Sequence, residues 1–163
     1  MTIKGHLELL CDAGEMFALL SGVSETRDIL QRCVQLVAKH LKAEVCSIYL
    51  LDTYILNKNH INYFDRNSRK EELILRATKG LNPDSVGKVR MKIGEGLVGK
   101  AMETMEMILE DQASLNPDFK YFPDANEEDF ESFLALPILR GSEGIGVLVV
   151  QRRRDYKFSV DEA

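Results

Sequence analysis

The feature that most constrains the fold is a pair of strand-length apolar segments, residues 133–140 (FLALPILR) and 144–153 (GIGVLVVQRR). The connection between them reads Gly-Ser-Glu-Gly from Gly141 to Gly144, which is typical of a tight hairpin. Two strands joined by so short a connection run antiparallel. The chain is therefore predicted to build an antiparallel sheet around this hairpin.

Four further segments have the pattern of strands. Residues 44–51 are apolar on both faces, which indicates a central strand, and residues 72–79 predict a second strand that Gly80 ends. In residues 88–93, apolar and basic side chains alternate, as expected for a half-exposed strand. The segment EMILED, residues 106–111, predicts one more short strand.

Helical periodicity precedes the strands. Residues 5–20 predict an amphipathic helix, and a second helix follows it. The apolar residues of the second helix share one face: Ile29, Leu30, Cys33, Val34, Val37, Ala38 and Leu41. This order of elements predicts an α+β fold, a central and mostly antiparallel sheet of about six strands with helices packed on one face.

Residues 93–102 (IGEGLVGKAM) contain Gly94, Gly96 and Gly99 at the spacing of a dinucleotide-binding turn. Such a turn needs a buried parallel strand before it and a long helix after it. Here the preceding strand is half exposed, the following helix at about residues 97–103 is short, and Glu95 would repel a pyrophosphate. Two interpretations remain. The glycines serve a sharp strand-to-helix turn alone, or the short helix also roofs a cavity and its N–H groups bind a small anion such as a carboxylate.

Charge and hydropathy exclude two classes of partner. The 163 residues include 26 acidic and 21 basic side chains, for a net charge of −5, whereas a surface that binds nucleic acid is basic. Arg152 to Arg154 are therefore expected to be a solvated strand end. No apolar run is long enough to cross a bilayer, and the first residues do not resemble a signal peptide. We expect a cytoplasmic protein with no nucleic-acid or membrane partner.

No combination of residues indicates catalysis or metal binding. The three cysteines are far apart in apolar patterns, so we expect buried small hydrophobes rather than disulfides or zinc ligands. The three histidines lack a nucleophile or carboxylate partner at motif spacing. These residues are Cys11, Cys33, Cys46, His6, His40 and His60. We expect no catalytic residue, metal or cofactor, and hence no enzyme activity in this chain.

Five segments together resemble the GAF domain, a sensory α+β module of many bacterial regulators. They are VCSIYLLD (45–52), LRATKGL (75–81), GEGLVG (94–99), LALPI (134–138) and GIGVLVVQ (144–151). The first two, with the stretch 118–138, are similar to the N-terminal GAF domain of nitrogen-type enzyme I, a phosphoenolpyruvate–protein phosphotransferase family. The resemblance covers nearly the whole chain. It departs at residues 53–71, where we expect an inserted hairpin excursion.

This family resemblance implies a regulatory domain that gates phosphotransfer by downstream domains, with glutamine as a nitrogen signal. The phosphorylated histidine of such proteins lies in a later domain. Ser159 to Glu162 have the pattern of a helix-capping box close to the last residue of the chain. Residues 1–163 are therefore interpreted as a single GAF domain, a fragment of a longer protein with a truncated terminal helix.

The GAF fold implied by the resemblance has a ligand site between the sheet and a cover formed by residues 96–102 and 116–133. The candidate ligand-binding residues are Met91, Gly96, Leu97, Val98, Asp111, Phe119, Tyr121 and Phe133. One hypothesis is a sensor whose small metabolite, such as glutamine, orders the cover. The alternative is a ligand-free interaction module that forms a homodimer through its N- and C-terminal helices. A polar, roomy cavity would favour the first hypothesis and a packed, dry one the second, and the apolar candidates favour a dry cavity.

Overall fold

The computed structural model describes residues 26–52, 72–125, 129–153 and 158. Within these ranges the α-helices are α1 (Thr26–His40) and α2 (Gly96–Thr104). The strands are β1 (Val45–Leu51), β2 (Glu72–Lys79), β3 (Arg90–Lys92), β4 (Ile108–Glu110), β5 (Phe130–Arg140) and β6 (Glu143–Arg153). The predicted helix 5–20, the predicted excursion 53–71 and the capping box 159–162 lie outside the described residues.

The strands form one sheet in the order β3-β2-β1-β6-β5-β4, and every neighbouring pair is antiparallel. The predicted α+β class is confirmed. β1 lies inside the sheet between β2 and β6, and all its residues are buried, as its apolar pattern predicts. The predicted hairpin joins β5 to β6, with Arg140 opposite Glu143. β5 begins at Phe130, ahead of the predicted start at Phe133.

One face of the sheet is covered by α1, and we call it the helix face. The apolar stripe of α1 packs there against β2 and β1, in a core cluster that continues into β5 and β6. Its buried members include Val34, Ala38, Cys46, Ile48, Leu50, Leu134 and Val150. Burial raises the pKa of the Cys46 thiol to about 12, so this cysteine is a packing residue as expected.

Arg152 was expected to be part of a solvated strand end. This expectation is wrong, because the residue is only 6% exposed. Its guanidinium donates a hydrogen bond to the carbonyl oxygen of Leu41, directly after α1. The guanidinium carbon also lies 4.2 Å from the ring centroid of Phe158. A cation at a helix C-terminus is favoured by the helix dipole. Arg152 therefore fastens the end of α1 to the sheet, whereas Arg153 is exposed as expected.

The opposite face of the sheet, which we call the cavity face, is covered by α2 and the loop before β5. Leu97, Val98, Ala101 and Met102 are the buried stripe of α2, because their spacing places them on one side of a helix. They pack against a second core cluster whose sheet members include Tyr49, Leu73, Leu75, Met91, Phe133, Ala135 and Val149. The glycine turn and the predicted ligand site lie on this face.

Candidate ligand site

The glycine turn joins β3 to α2. Gly94 and Gly96 have φ angles of +82° and +67°, in the left-handed region that favours glycine. Gly99 has no room for a side chain, since a Cβ there would lie 2.4 Å from the carbonyl oxygen of Lys92. β3 is a three-residue strand at the end of the sheet, antiparallel to β2. The motif therefore makes a strand-to-helix turn and lacks the parallel strand of a dinucleotide-binding fold.

A cavity lies between the sheet and the cover. The side chains of its floor are Tyr49, Met91, Phe133, Val149 and Gln151. Gln151 is only 1% exposed and lies opposite Phe133 in the β5–β6 register. On the same face, Ser47 lies opposite Val149, and its hydroxyl is 2.8 Å from the hydroxyl of Thr78. The floor is thus mostly apolar, with a buried amide and a tyrosine among its side chains.

The cover is closed on this floor. Its lining residues are Gly96, Leu97 and Val98 of α2, and Phe119, Lys120 and Phe122 of the loop. A Cβ on Gly96 would lie 3.1 Å from the Cβ of Lys120, so the two parts of the cover touch. The cavity measures about 20 Å³, which is room for roughly one water molecule.

An ion pair joins the two parts of the cover at the surface. One carboxylate oxygen of Glu95 pairs with Lys120, and the other accepts a hydrogen bond from the Lys92 amide at 2.8 Å. The ammonium of Lys120 also lies 5.0 Å from the ring centroid of Phe122. The hydrogen bond from Lys120 and then that from Lys92 lower the pKa of Glu95. Both side chains are more than a third exposed, so salt and water weaken the pair.

The structure gathers six of the eight predicted site residues around this cavity: Met91, Gly96, Leu97, Val98, Phe119 and Phe133. The other two lie elsewhere. Asp111 follows β4 and is exposed beside Glu110 and Asn116. Tyr121 is 38% exposed and is absent from the described cavity lining, although its chain neighbours Lys120 and Phe122 line the cavity.

Five lining residues were not among the eight candidates: Tyr49, Lys120, Phe122, Val149 and Gln151. Two of them, Lys120 and Phe122, fall within the predicted cover 116–133. Gln151 carries a signal that could have found it. Val147 and Val149 are buried on the cavity face, and Gln151 is the next residue of that alternation in β6. A polar side chain at a buried position of an apolar strand points to a specific contact.

Within the described ranges, no group of three His, Cys, Asp or Glu side chains could hold a metal ion. No helix in them is long and apolar enough to cross a membrane.

Comparisons with known proteins agree with this geometry. The family model of the GAF domain matches residues 23–163. The GAF domain of an Acinetobacter phosphoenolpyruvate-protein phosphotransferase is 32% identical, with a TM-score of 0.72 over 99% of this chain and 85% of that chain. The GAF domain of such a phosphotransferase (ptsP) from Coxiella burnetii is 30% identical, with a TM-score of 0.73 over 96% and 84%.

A protein of Escherichia coli strain K12, described as the phosphoenolpyruvate-dependent phosphotransferase system, is 34% identical over 100 residues, which are 61% of this chain and 11% of that protein. This chain belongs to the GAF domain family. Its predicted similarity to the GAF domains of phosphoenolpyruvate–protein phosphotransferases is confirmed. The chain spans only 11% to 25% of the length of the curated relatives that it matches.

Proposed function

We propose that this chain is the sensory domain of a phosphoenolpyruvate–protein phosphotransferase. In this proposal a small metabolite binds in the cavity and thereby gates phosphotransfer by downstream domains. The observation that carries the proposal is the cavity itself, a covered apolar space with the buried amide of Gln151 in its floor. Small-molecule sites are likewise lined mainly by apolar side chains with a few polar groups, but their usual volume is about 300–1,000 Å³, so this cavity must widen to take a ligand.

The closed cover gives the proposal its mechanism. An amino acid needs far more room than about one water molecule, so the cover must lift before a ligand of that size binds. The contact that joins its two parts, between Glu95 and Lys120, is an exposed ion pair, and such pairs are worth about 0–1 kcal/mol. Lifting also exposes apolar parts of the cover such as Leu97 and Val98, which are buried in the closed form. A ligand that replaces those contacts can shift the balance between closed-empty and occupied states.

Glutamine is the metabolite that we propose, on the strength of the family resemblance. Its side-chain amide would find a complementary hydrogen-bonding group in Gln151, and its methylene groups would contact Leu97 and Phe133. The six predicted residues at the cavity remain our proposed ligand contacts. In this proposal the chain itself is regulatory, catalysis belongs to other domains of the parent enzyme, and the terminal helices form a homodimer.

A second candidate function is favoured by the cavity volume of about 20 Å³. Apolar packing so complete also suits an interaction module that takes no ligand and acts through dimerisation. The two functions differ in whether a small molecule stabilises the folded chain.

The experiment is thermal melting of the chain with a panel of amino acids and nucleotides. A ligand that binds only the folded state adds about 2.7 kcal/mol at a hundred times its Kd, which shifts Tm by several degrees. A shift with glutamine that is lost in Gln151→Leu supports the sensor. The matched control is Gln35→Leu, because Gln35 is an exposed glutamine of α1. A shift that survives in Gln151→Leu contradicts this cavity as the site, and no shift with any compound favours the ligand-free module.

A further inference from the structure

Lys120 is the one charged side chain among the described residues that line the cavity. Its side chain is 42% exposed, so the ammonium lies at the mouth rather than in the apolar interior. Gln151, at the floor, is neutral and buried. The lining side chains can therefore pair with a negative charge on a ligand in this cavity, but not with a positive one.

In the closed cavity the ammonium of Lys120 is paired with the Glu95 carboxylate. Glu95 does not line the cavity among the described residues; it is the residue directly before α2. Its second oxygen accepts from the Lys92 amide at 2.8 Å. Glu95 therefore keeps one hydrogen bond, and contact with water, when Lys120 moves away.

We infer that Lys120 binds the carboxylate of the ligand, and that the Glu95 carboxylate pairs with Lys120 instead while the cavity is empty. This inference rests on the proposed function and names its ligand class, a small carboxylate such as an α-amino acid. When the cover lifts, the Glu95–Lys120 pair separates. When it closes again over a ligand, one carboxylate has replaced another at Lys120.

The exchange leaves no charge buried without a partner, which would be the costly outcome. Lys120 is paired in both states, and Glu95 is more than a third exposed in the closed one. The lowered pKa of Glu95, caused first by Lys120, agrees with a carboxylate already bound at this ammonium. Because Glu95 competes with the ligand, removing its charge should strengthen binding rather than weaken it.

The test is isothermal titration of the chain with L-glutamine and with its α-carboxamide, which lacks the carboxylate. In wild type the carboxamide should bind roughly two- to fivefold more weakly, as expected when an ion pair at a partly exposed ammonium is lost. Lys120→Met should weaken glutamine by a similar factor and remove the difference between the two compounds. Glu95→Gln should bind glutamine a few-fold more tightly. Lys100→Met is the matched control, because Lys100 pairs with Glu103 away from the cavity.

The outcomes separate this inference from the proposed function. If glutamine binds Lys120→Met as tightly as wild type, or if the carboxamide binds wild type equally well, the inference is overturned. The sensor function then stands, provided that Gln151→Leu still abolishes binding. If neither compound binds wild type or Glu95→Gln, both the inference and glutamine sensing are overturned. Thermal melting of each variant verifies that it is folded.

Discussion

The two faces of the sheet are held in different ways, and adjacent residues of β6 show the difference. Arg152 lies on the helix face and is bonded to the carbonyl of Leu41 at the end of α1. Gln151 lies on the cavity face, under a cover whose two parts are joined by the exposed pair of Glu95 and Lys120. Both faces have a buried apolar cluster, so the difference lies in their polar contacts. The helix face has a buried charged hydrogen bond, and the cover has an exposed ion pair that water and salt weaken.

This contrast suggests that the two faces of the sheet have different roles. Regions with exposed polar contacts open locally at low free energy, whereas well-packed cores open only with global unfolding. We therefore expect the sheet and α1 to act as the scaffold and the cover, whose closing ion pair is exposed, to be the part that moves.

The largest effect is expected at the core of the helix face. Leu134 is 0% exposed there, and Leu134→Ala should lower the free energy of unfolding by about 2–5 kcal/mol because it leaves a cavity. Leu97→Ala in the cover should fall near the lower end of this range, since the cover opens locally. Urea unfolding measures both. Leu139→Ala is the control, as Leu139 is 52% exposed. A larger loss for Leu97→Ala than for Leu134→Ala would contradict the comparison.

The second prediction concerns the anchor of α1. Arg152→Met keeps much of the side-chain volume but removes the charged hydrogen bond to Leu41, so it should lower the free energy of unfolding by about 1.5–3 kcal/mol. Arg153→Met changes an exposed neighbour on the same strand and should stay within about 0.5 kcal/mol. Equal urea midpoints for the two variants would show that Arg152 does not anchor the helix.

The third prediction compares two glycines with nearly the same backbone strain. Gly96 and Gly141 have φ angles of +67° and +65°, so alanine at either should cost about 1–2 kcal/mol. Only at Gly96 would the new Cβ meet the Cβ of Lys120, at 3.1 Å, because Gly141 has nothing within 4 Å. Both variants should therefore melt lower, Gly96→Ala at least as much as Gly141→Ala, and Gly96→Ala alone should lose the Tm shift with glutamine. An intact shift in Gly96→Ala would exclude the proposed cover.

The smallest effect is the pH dependence of the Glu95–Lys120 pair. The folded pKa of Glu95 lies below its ordinary value of 4.5. The contribution of the Glu95 carboxylate to the free energy of unfolding is therefore complete at pH values above the ordinary pKa. It disappears as pH falls through the lowered folded pKa. For so exposed a pair it should be at most about 1 kcal/mol. Urea unfolding of wild type and Glu95→Gln should differ at pH 6 and converge in acid. A difference that grows on acidification would contradict a folded pKa of Glu95 below its ordinary value.

The strands and α1 were predictable from the sequence because the local spacing of apolar residues indicates which positions are buried. Val45 to Leu51 are buried on both faces, and the alternation in β3 separates Met91 from two exposed basic residues. The glycine turn was also predictable, because Glu95 and the short helix that follows do not suit a dinucleotide.

The missed and misplaced residues depend on tertiary structure. Lys120 lies in a loop without periodicity, and only the path of that loop over the sheet brings it to the cavity. Tyr121 was expected at the site because its neighbours suit a cover, yet it is 38% exposed. Arg152 resembles a solvated strand end in the sequence, and its burial follows from the position of the end of α1, which no local pattern encodes.

The most direct test of the division between the two faces is amide hydrogen exchange of the chain without ligand, followed by mass spectrometry or NMR. The amides of residues 96–98 and 119–122 should exchange through a local opening of low free energy. Those in the middle of α1 and β6 should exchange only at the free energy of global unfolding. Glutamine should then slow exchange in the cover and leave α1 unchanged. Equal protection of the cover and α1 in the free chain would contradict a cover that opens over a fixed scaffold.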